Sequence, residues 1–69
     1  MSNSREIGFI KFFDWKKGYG FIAGGSGVDV FVHKNDLPAG TKMLEERQQV
    51  SFVPISGKRG LRASELRLL

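Results

Sequence analysis

The 69-residue sequence predicts an all-β domain, on the evidence of three features. Short segments rich in Ile, Val and Phe alternate with polar turns, as strands do. Nine glycines against two prolines suit tight turns between such strands. No segment carries the long 3.6-residue apolar stripe of an amphipathic helix. The length allows one small domain, which we place at residues 5–69 after a flexible polar N-terminus at residues 1–4.

Five segments have the length and composition of strands. In chain order they are residues 5–13, 19–23, 28–33, 50–55 and 61–68. Glycine-rich turns follow the second and fourth of these strands, because glycine adopts positive φ without penalty. The longest connection covers residues 34–49. Pro54 has no N–H to donate to a neighbour, so we expect it at a sheet edge or a strand end.

The second and third strands have two unlike faces, because alternate side chains of a strand point in opposite directions. One face carries small or aliphatic residues: Gly20, Ile22, Val30 and Val32. The opposite face carries four rings: Tyr19, Phe21, Phe31 and His33. Large aromatic side chains normally take the core side of a half-buried strand, since they remove the most apolar area from water. Here, however, the opposite face already carries residues suited to a core, so burial does not explain the four rings. The pattern predicts that the aliphatic face is buried and that the rings form an exposed surface.

Positive charge lies close to these rings in the sequence. Eleven Lys and Arg against seven Asp and Glu give a net charge of +4 and an isoelectric point near 9.9. Such a balance favours a polyanionic partner, either nucleic acid or an anionic membrane. Lys11, Lys17 and Lys34 flank the ring-bearing strands. Rings that stack on bases beside cations that contact phosphates are typical of a surface that binds single-stranded nucleic acid.

Other classes of function find little support in the residues. The sequence has no cysteine and a single histidine, so it offers neither thiolate ligands nor a His cluster for a metal. It shows no catalytic triad order, paired-carboxylate motif or phosphate-binding loop, and we predict no enzyme activity and no cofactor. Neither a signal-peptide-like apolar run nor a membrane-spanning stretch is visible. We expect a cytoplasmic protein that binds no membrane.

Three motifs resemble the bacterial cold shock protein family in order and spacing. They are GFIKFFD at residues 8–14, KGYGFI at 17–22 and DVFVH at 29–33. Matches over residues 44–52 and 57–60 extend the similarity to about residues 7–66. The resemblance implies a five-stranded antiparallel OB-fold barrel that binds single-stranded RNA and DNA. It also implies a cytoplasmic RNA chaperone, or a modulator of transcription or translation, often during cold or other stress.

The resemblance also assigns positions in the first and last strands. It places Ile10 in the core, Lys11 on the binding face and Phe12 where the family has a characteristic Trp. A bulge near Phe12 would reconcile these directions, because one extra residue reverses the alternation that follows it. Arg62 stands where the family commonly has a Gln near a base edge. The expected core is Ile10, Ile22, Val30, Val32, Val50 and Phe52. The expected nucleic-acid site is Lys11, Phe12, Lys17, Tyr19, Phe21, Phe31, His33, Lys34 and Arg62.

Other positions also depart from the family pattern. Lys34 and Thr41 stand where many members have Phe, which removes two stacking rings. Arg47 replaces a usual Gly and is strained if the backbone there needs positive φ. Trp15 lies in a turn that the family fills with polar residues. It either covers the end of the barrel or stacks on the ligand, and the sequence supports both readings equally.

Two alternative functions compete with single-strand binding. An RNA-recognition-motif domain carries a similar first motif, but it needs two amphipathic helices that this sequence lacks. A small barrel whose exposed rings dock a peptide or a second copy is the alternative from another class. Binding that depends strongly on salt would favour nucleic acid, and a dimer formed without nucleic acid would favour the interaction module. We expect a monomer.

Overall fold

A computed structural model describes residues 5–25, 27–41, 44–45, 47–58 and 60–69. It contains five strands: β1 Glu6–Asp14, β2 Tyr19–Ala23, β3 Asp29–His33, β4 Gln49–Gly57 and β5 Gly60–Leu68. One turn of 3-10 helix, Lys34–Asp36, follows β3. The predicted strands agree with these bounds to within two residues. The predicted flexible segment 1–4 lies outside the described residues. No helix in the described part of the chain is long and apolar enough to cross a membrane.

The strands close into a barrel in the order β1-β2-β3-β5-β4, with β4 returning to β1. The predicted five-stranded barrel is confirmed, but its pairing is mixed and not purely antiparallel. The exception joins β3 and β5, which run parallel where Phe31 pairs with Arg62. The reason is topological, because strand directions cannot alternate all the way round a closed ring of five. This one parallel contact places Arg62 beside the rings of β3.

A bulge in β1 sets the direction of Phe12, as the resemblance predicted. Ile10 pairs with Ile22, and Phe12 pairs with Phe21, so β1 has one more residue than β2 over this interval. The extra residue, Lys11, reverses the alternation and turns Phe12 to the outside, where it is 51% exposed. A second irregularity lies where β4 meets β5, near Glu65, whose φ is +48°. It allows Ala63 and Leu66, three residues apart, both to point inward.

The barrel interior holds the side chains that the alternation of β2 and β3 and the family resemblance predict. All six predicted core residues are at most 3% exposed, and Ala63 and Leu66 complete the cluster. Phe13, Leu37 and Leu44 pack against it from its margins. Full burial of one such aliphatic or Phe side chain contributes about 1.5–3 kcal/mol. Because so few side chains fill the core, each one carries a large share of the stability.

Gly20 is required by the close approach of β1 and β2 at the bulge. A Cβ at this position would overlap the Phe12 carbonyl oxygen and would lie 2.7 Å from the Phe13 Cα. Both contacts involve backbone, which cannot move aside without separating the strands. The absence of a side chain at Gly20 therefore allows the bulge that presents Phe12 beside Phe21.

The turn before β4 contains a strained residue. Arg47 has φ of +60°, in the left-handed region that favours glycine. The prediction that Arg47 is strained if its position needs positive φ is therefore confirmed. Pro54 lies in the part of β4 beyond its pairing with β1, which ends at Phe52, so its missing N–H interrupts no bond to β1.

Candidate nucleic-acid interface

Four aromatic rings form a continuous surface across β1, β2 and β3. We call Phe12, Tyr19, Phe21 and Phe31 the ring surface. The Phe21 ring centroid lies 5.7 Å from that of Phe12 and 5.8 Å from that of Phe31. Tyr19 stacks on Phe31 at 5.6 Å with 29° between the ring planes. Three of the rings are half-buried and Phe12 is exposed, so all four present surface to solvent while their neighbours hold them in place.

His33 lies beside the ring surface and is oriented by the 3-10 turn. It pairs across the sheet with Tyr19. Its Nδ1 accepts a hydrogen bond from the Asn35 backbone N–H at 3.1 Å, as the cap of the turn. Because Nδ1 acts as the acceptor, the proton of the neutral imidazole is on Nε2. The ring is thereby held in one orientation with its outer nitrogen as a donor.

A groove of about 650 Å³ runs along the ring surface on the side of β5. Five of the residues lining it were predicted, and they are Lys17, Tyr19, Phe31, His33 and Arg62. The β4–β5 turn supplies the other wall, with Lys58 between Gly57 and Gly60. Lys58 was missing from the predicted site, although residues 57–60 belong to the segments that carry the family resemblance. Only the closure of the barrel shows that this turn faces the rings.

Arg62 is held by Asp36 at the edge of the groove. Its Nε donates to Asp36 Oδ2 at 3.1 Å, and its Nη2 donates to Oδ1 at 3.2 Å. The hydrogen bonds to Asp36, and then the attraction of its charge, raise the pKa of Arg62 above its ordinary value. The Asp36 Oδ2 also accepts from the His33 backbone N–H at 3.2 Å. The guanidinium is therefore fixed in place, but its charge is already compensated.

Lys11 lies on the outer side of β1, and its charge is compensated as well. Its ammonium contacts both carboxylate oxygens of Asp29, at 3.1 and 3.2 Å. Both side chains are about half exposed, at 46% and 51%, so water screens the pair strongly. Exposed pairs of this kind contribute little to stability and exchange partners readily. Lys11 and Phe12 line a separate depression with Trp15 and Arg47.

Lys34, like Lys11, does not line the groove. Its backbone N–H donates to the Gly18 carbonyl at 2.9 Å. Its aliphatic stem lies over Gly18, where an added Cβ would meet the Lys34 Cδ at 3.2 Å. Lys34 lines a second depression together with Trp15 and the loop 37–41. The structure thus divides the predicted cations between the groove and two neighbouring surfaces.

Other site chemistry is sparse in the described residues. They contain no group of three or more His, Cys, Asp or Glu side chains that could hold a metal ion. The groove residues are rings, cations and glycines, which suit stacking on planar groups and contacts to anions.

Comparison with known proteins agrees with this geometry. The family model described as the 'Cold-shock' DNA-binding domain matches residues 6–69. The major cold shock protein CspA of Pseudomonas aeruginosa is 46% identical over 70 aligned residues, which cover all of both chains. Cold shock protein CapB of Pseudomonas syringae is 44% identical over the same span. Cold shock protein CspB of Bacillus caldolyticus is 47% identical over 62 residues, covering 88% of this chain and 94% of the relative.

Proposed function

Because the chain belongs to the cold-shock domain family of nucleic-acid-binding proteins, we propose that it binds single strands of RNA and DNA without enzymatic activity. Bases stack on Phe12, Tyr19, Phe21 and Phe31, and His33 adds a ring and a donor. Phosphates contact Lys17 and Lys58 along the groove. In the cell this activity keeps transcripts unfolded, as an RNA chaperone or a modulator of transcription or translation in the cytoplasm.

The observation that carries the proposal is the continuity of the ring surface beside the basic groove. Neighbouring ring centroids lie 5.6–6.4 Å apart, and the groove wall adds two lysines with no ion-pair partner among the described residues. Stacking works on the π-face of any base, so we expect the site to bind strands of different base sequence. The splayed bases that it requires are available in single strands and not in a duplex.

The alternative of a peptide-binding or self-associating barrel is less well supported. Such a surface tolerates a neutral rim, whereas Lys17 and Lys58 border the rings directly. We propose a monomer. Sedimentation of the free protein at increasing concentration tests this, because a dimer whose formation depends on Phe31 would favour the alternative.

The test is a titration of labelled oligothymidine and oligoadenine, followed by fluorescence anisotropy at two salt concentrations, with a duplex of the same length as control. Phe31→Ala should weaken binding by about 1–3 kcal/mol, the cost of one lost stack. The loss should be similar at both salt concentrations, because the Phe ring carries no charge. Equal affinity of wild type and variant, or tighter binding of the duplex, would contradict the proposal.

A further inference from the structure

We propose that Trp15, Lys34 and Asn35 form an additional nucleotide subsite beyond the ring surface, an inference that rests on the proposed function. The depression that they line measures about 430 Å³ and is also lined by Leu37 and residues 38–41. Its occupant is one nucleotide of a single strand that continues past Tyr19 and His33. The base stacks on the Trp15 indole, and its phosphate contacts the Lys34 ammonium.

Trp15 is both exposed and held in place, as a stacking ring must be. It is 43% exposed, although it is the only Trp and among the largest apolar side chains of the protein. Its ring centroid lies 4.7 Å from that of Phe13, with 58° between the planes. Phe13 packs in turn against the buried core. The indole is therefore supported from beneath, which lowers the entropy lost when a base stacks on it.

The turn that carries Trp15 is also fixed by hydrogen bonds. The Gly18 N–H donates to the Asp14 carbonyl at 2.7 Å, and the Lys17 N–H donates to the Asp14 carboxylate at 3.0 Å. Gly18 has φ of +79°, which closes the turn. The indole is thus presented by an ordered loop next to the first residue of β2.

The depression adjoins the ring surface directly. Lys34 follows His33 and bonds through its backbone to Gly18, which precedes Tyr19. Tyr19 and His33 are themselves paired. A strand of nucleic acid that leaves this pair along the sheet therefore reaches Lys34 and Trp15 at the next row of residues.

Charge and hydrogen-bonding capacity favour a nucleotide over a purely apolar occupant. Lys34 is exposed and has no ion-pair partner among the described residues. The side-chain amide of Asn35 has no hydrogen-bond partner in the described part of the structure, and it offers a donor and an acceptor to a base edge. An indole, a cation and an amide together match a base with its phosphate.

The test measures how affinity grows with the length of the oligonucleotide. Labelled oligothymidines of about four to nine nucleotides are titrated into wild type and Trp15→Leu, which keeps an apolar contact to Phe13 but no ring. We expect Trp15→Leu to bind the longest oligonucleotides about 5- to 100-fold more weakly and the shortest almost unchanged. Trp15→Tyr, which keeps a ring, should recover most of the loss. Lys34→Gln should reduce the salt slope by about 0.7 for long oligonucleotides only.

Four outcomes separate this inference from the proposed function. Wild type that binds no oligonucleotide overturns both. Wild type that binds, with Trp15→Leu equal to it at every length or weaker by one constant factor, overturns the subsite alone. Trp15 emission should be quenched by long oligonucleotides at saturation, and unchanged emission overturns the subsite. A dimer of the free protein that Trp15→Leu abolishes also overturns it, because a second copy then occupies the depression.

Discussion

The pair between Arg62 and Asp36 predicts that removing an acidic side chain will strengthen the electrostatic part of binding. In the free protein both oxygens of the Asp36 carboxylate accept hydrogen bonds from the Arg62 guanidinium. A phosphate that approaches Arg62 meets a neutral pair, so no counterion is released in exchange. Asp36→Asn removes the negative charge and retains an oxygen that can accept from the His33 N–H. Arg62 then becomes a free cation at the edge of the groove.

The expected magnitude follows from the number of uncompensated cations. Lys17 and Lys58 line the groove, and Lys34 lines the neighbouring depression with Trp15. None of the three lysines has an ion-pair partner among the described residues. Each phosphate neutralised on a single strand contributes about −0.7 to the slope of log K against log salt, which gives about −2 for wild type. Asp36→Asn should steepen the slope to about −2.8 on the same rule.

The assay is anisotropy titration of one oligothymidine over a series of salt concentrations. Glu65→Gln is the matched control, because it changes the net charge equally but removes a carboxylate that faces Arg5, away from the groove. Arg62→Gln should leave the wild-type slope nearly unchanged and should cancel the effect of Asp36→Asn. If Arg62→Gln flattens the wild-type slope by about 0.7, Arg62 contacts phosphate in spite of Asp36. That result would refute the reasoning.

Two further predictions concern stability and are checked by thermal unfolding. Arg47→Gly should stabilise the fold by about 0.5–1 kcal/mol, because the left-handed conformation at φ +60° costs glycine nothing. Arg47→Ala is the control, since it removes the same side chain but keeps the backbone strain. An equal gain in stability from Arg47→Ala would exclude strain as the cause. Gly20→Ala should destabilise by about 2 kcal/mol or more, because its Cβ would overlap backbone atoms of β1. Gly25→Ala is its control, since a Cβ there meets nothing closer than the Ile7 carbonyl oxygen at 3.6 Å, and an equal loss in both variants would argue against the close approach.

The sequence alone determined which face of β2 and β3 is buried and which face carries the rings of the surface. Successive side chains of a strand point to opposite faces because of the backbone geometry. It therefore follows from the local sequence that Ile22 and Val30 point to one face of the sheet and Phe21 and Phe31 to the other. The positions of the turns likewise follow from the conformational freedom of glycine. The bulge near Phe12 was predictable only by adding the family resemblance, because the alternation of β1 is ambiguous without it.

Only the tertiary structure decided which charges face one another. The pairs Arg62–Asp36 and Lys11–Asp29 join residues 26 and 18 positions apart, across strands whose register no local pattern specifies. The parallel contact of β3 with β5 brings Arg62 to Phe31, and closure of the barrel brings Lys58 to the same groove. The number and spacing of the charged residues can be counted in the sequence. Whether an acidic side chain neutralises a given cation depends instead on contacts between residues far apart in the chain. For this reason the sequence identified the cations of the site except Lys58, but not which of them are free to bind phosphate.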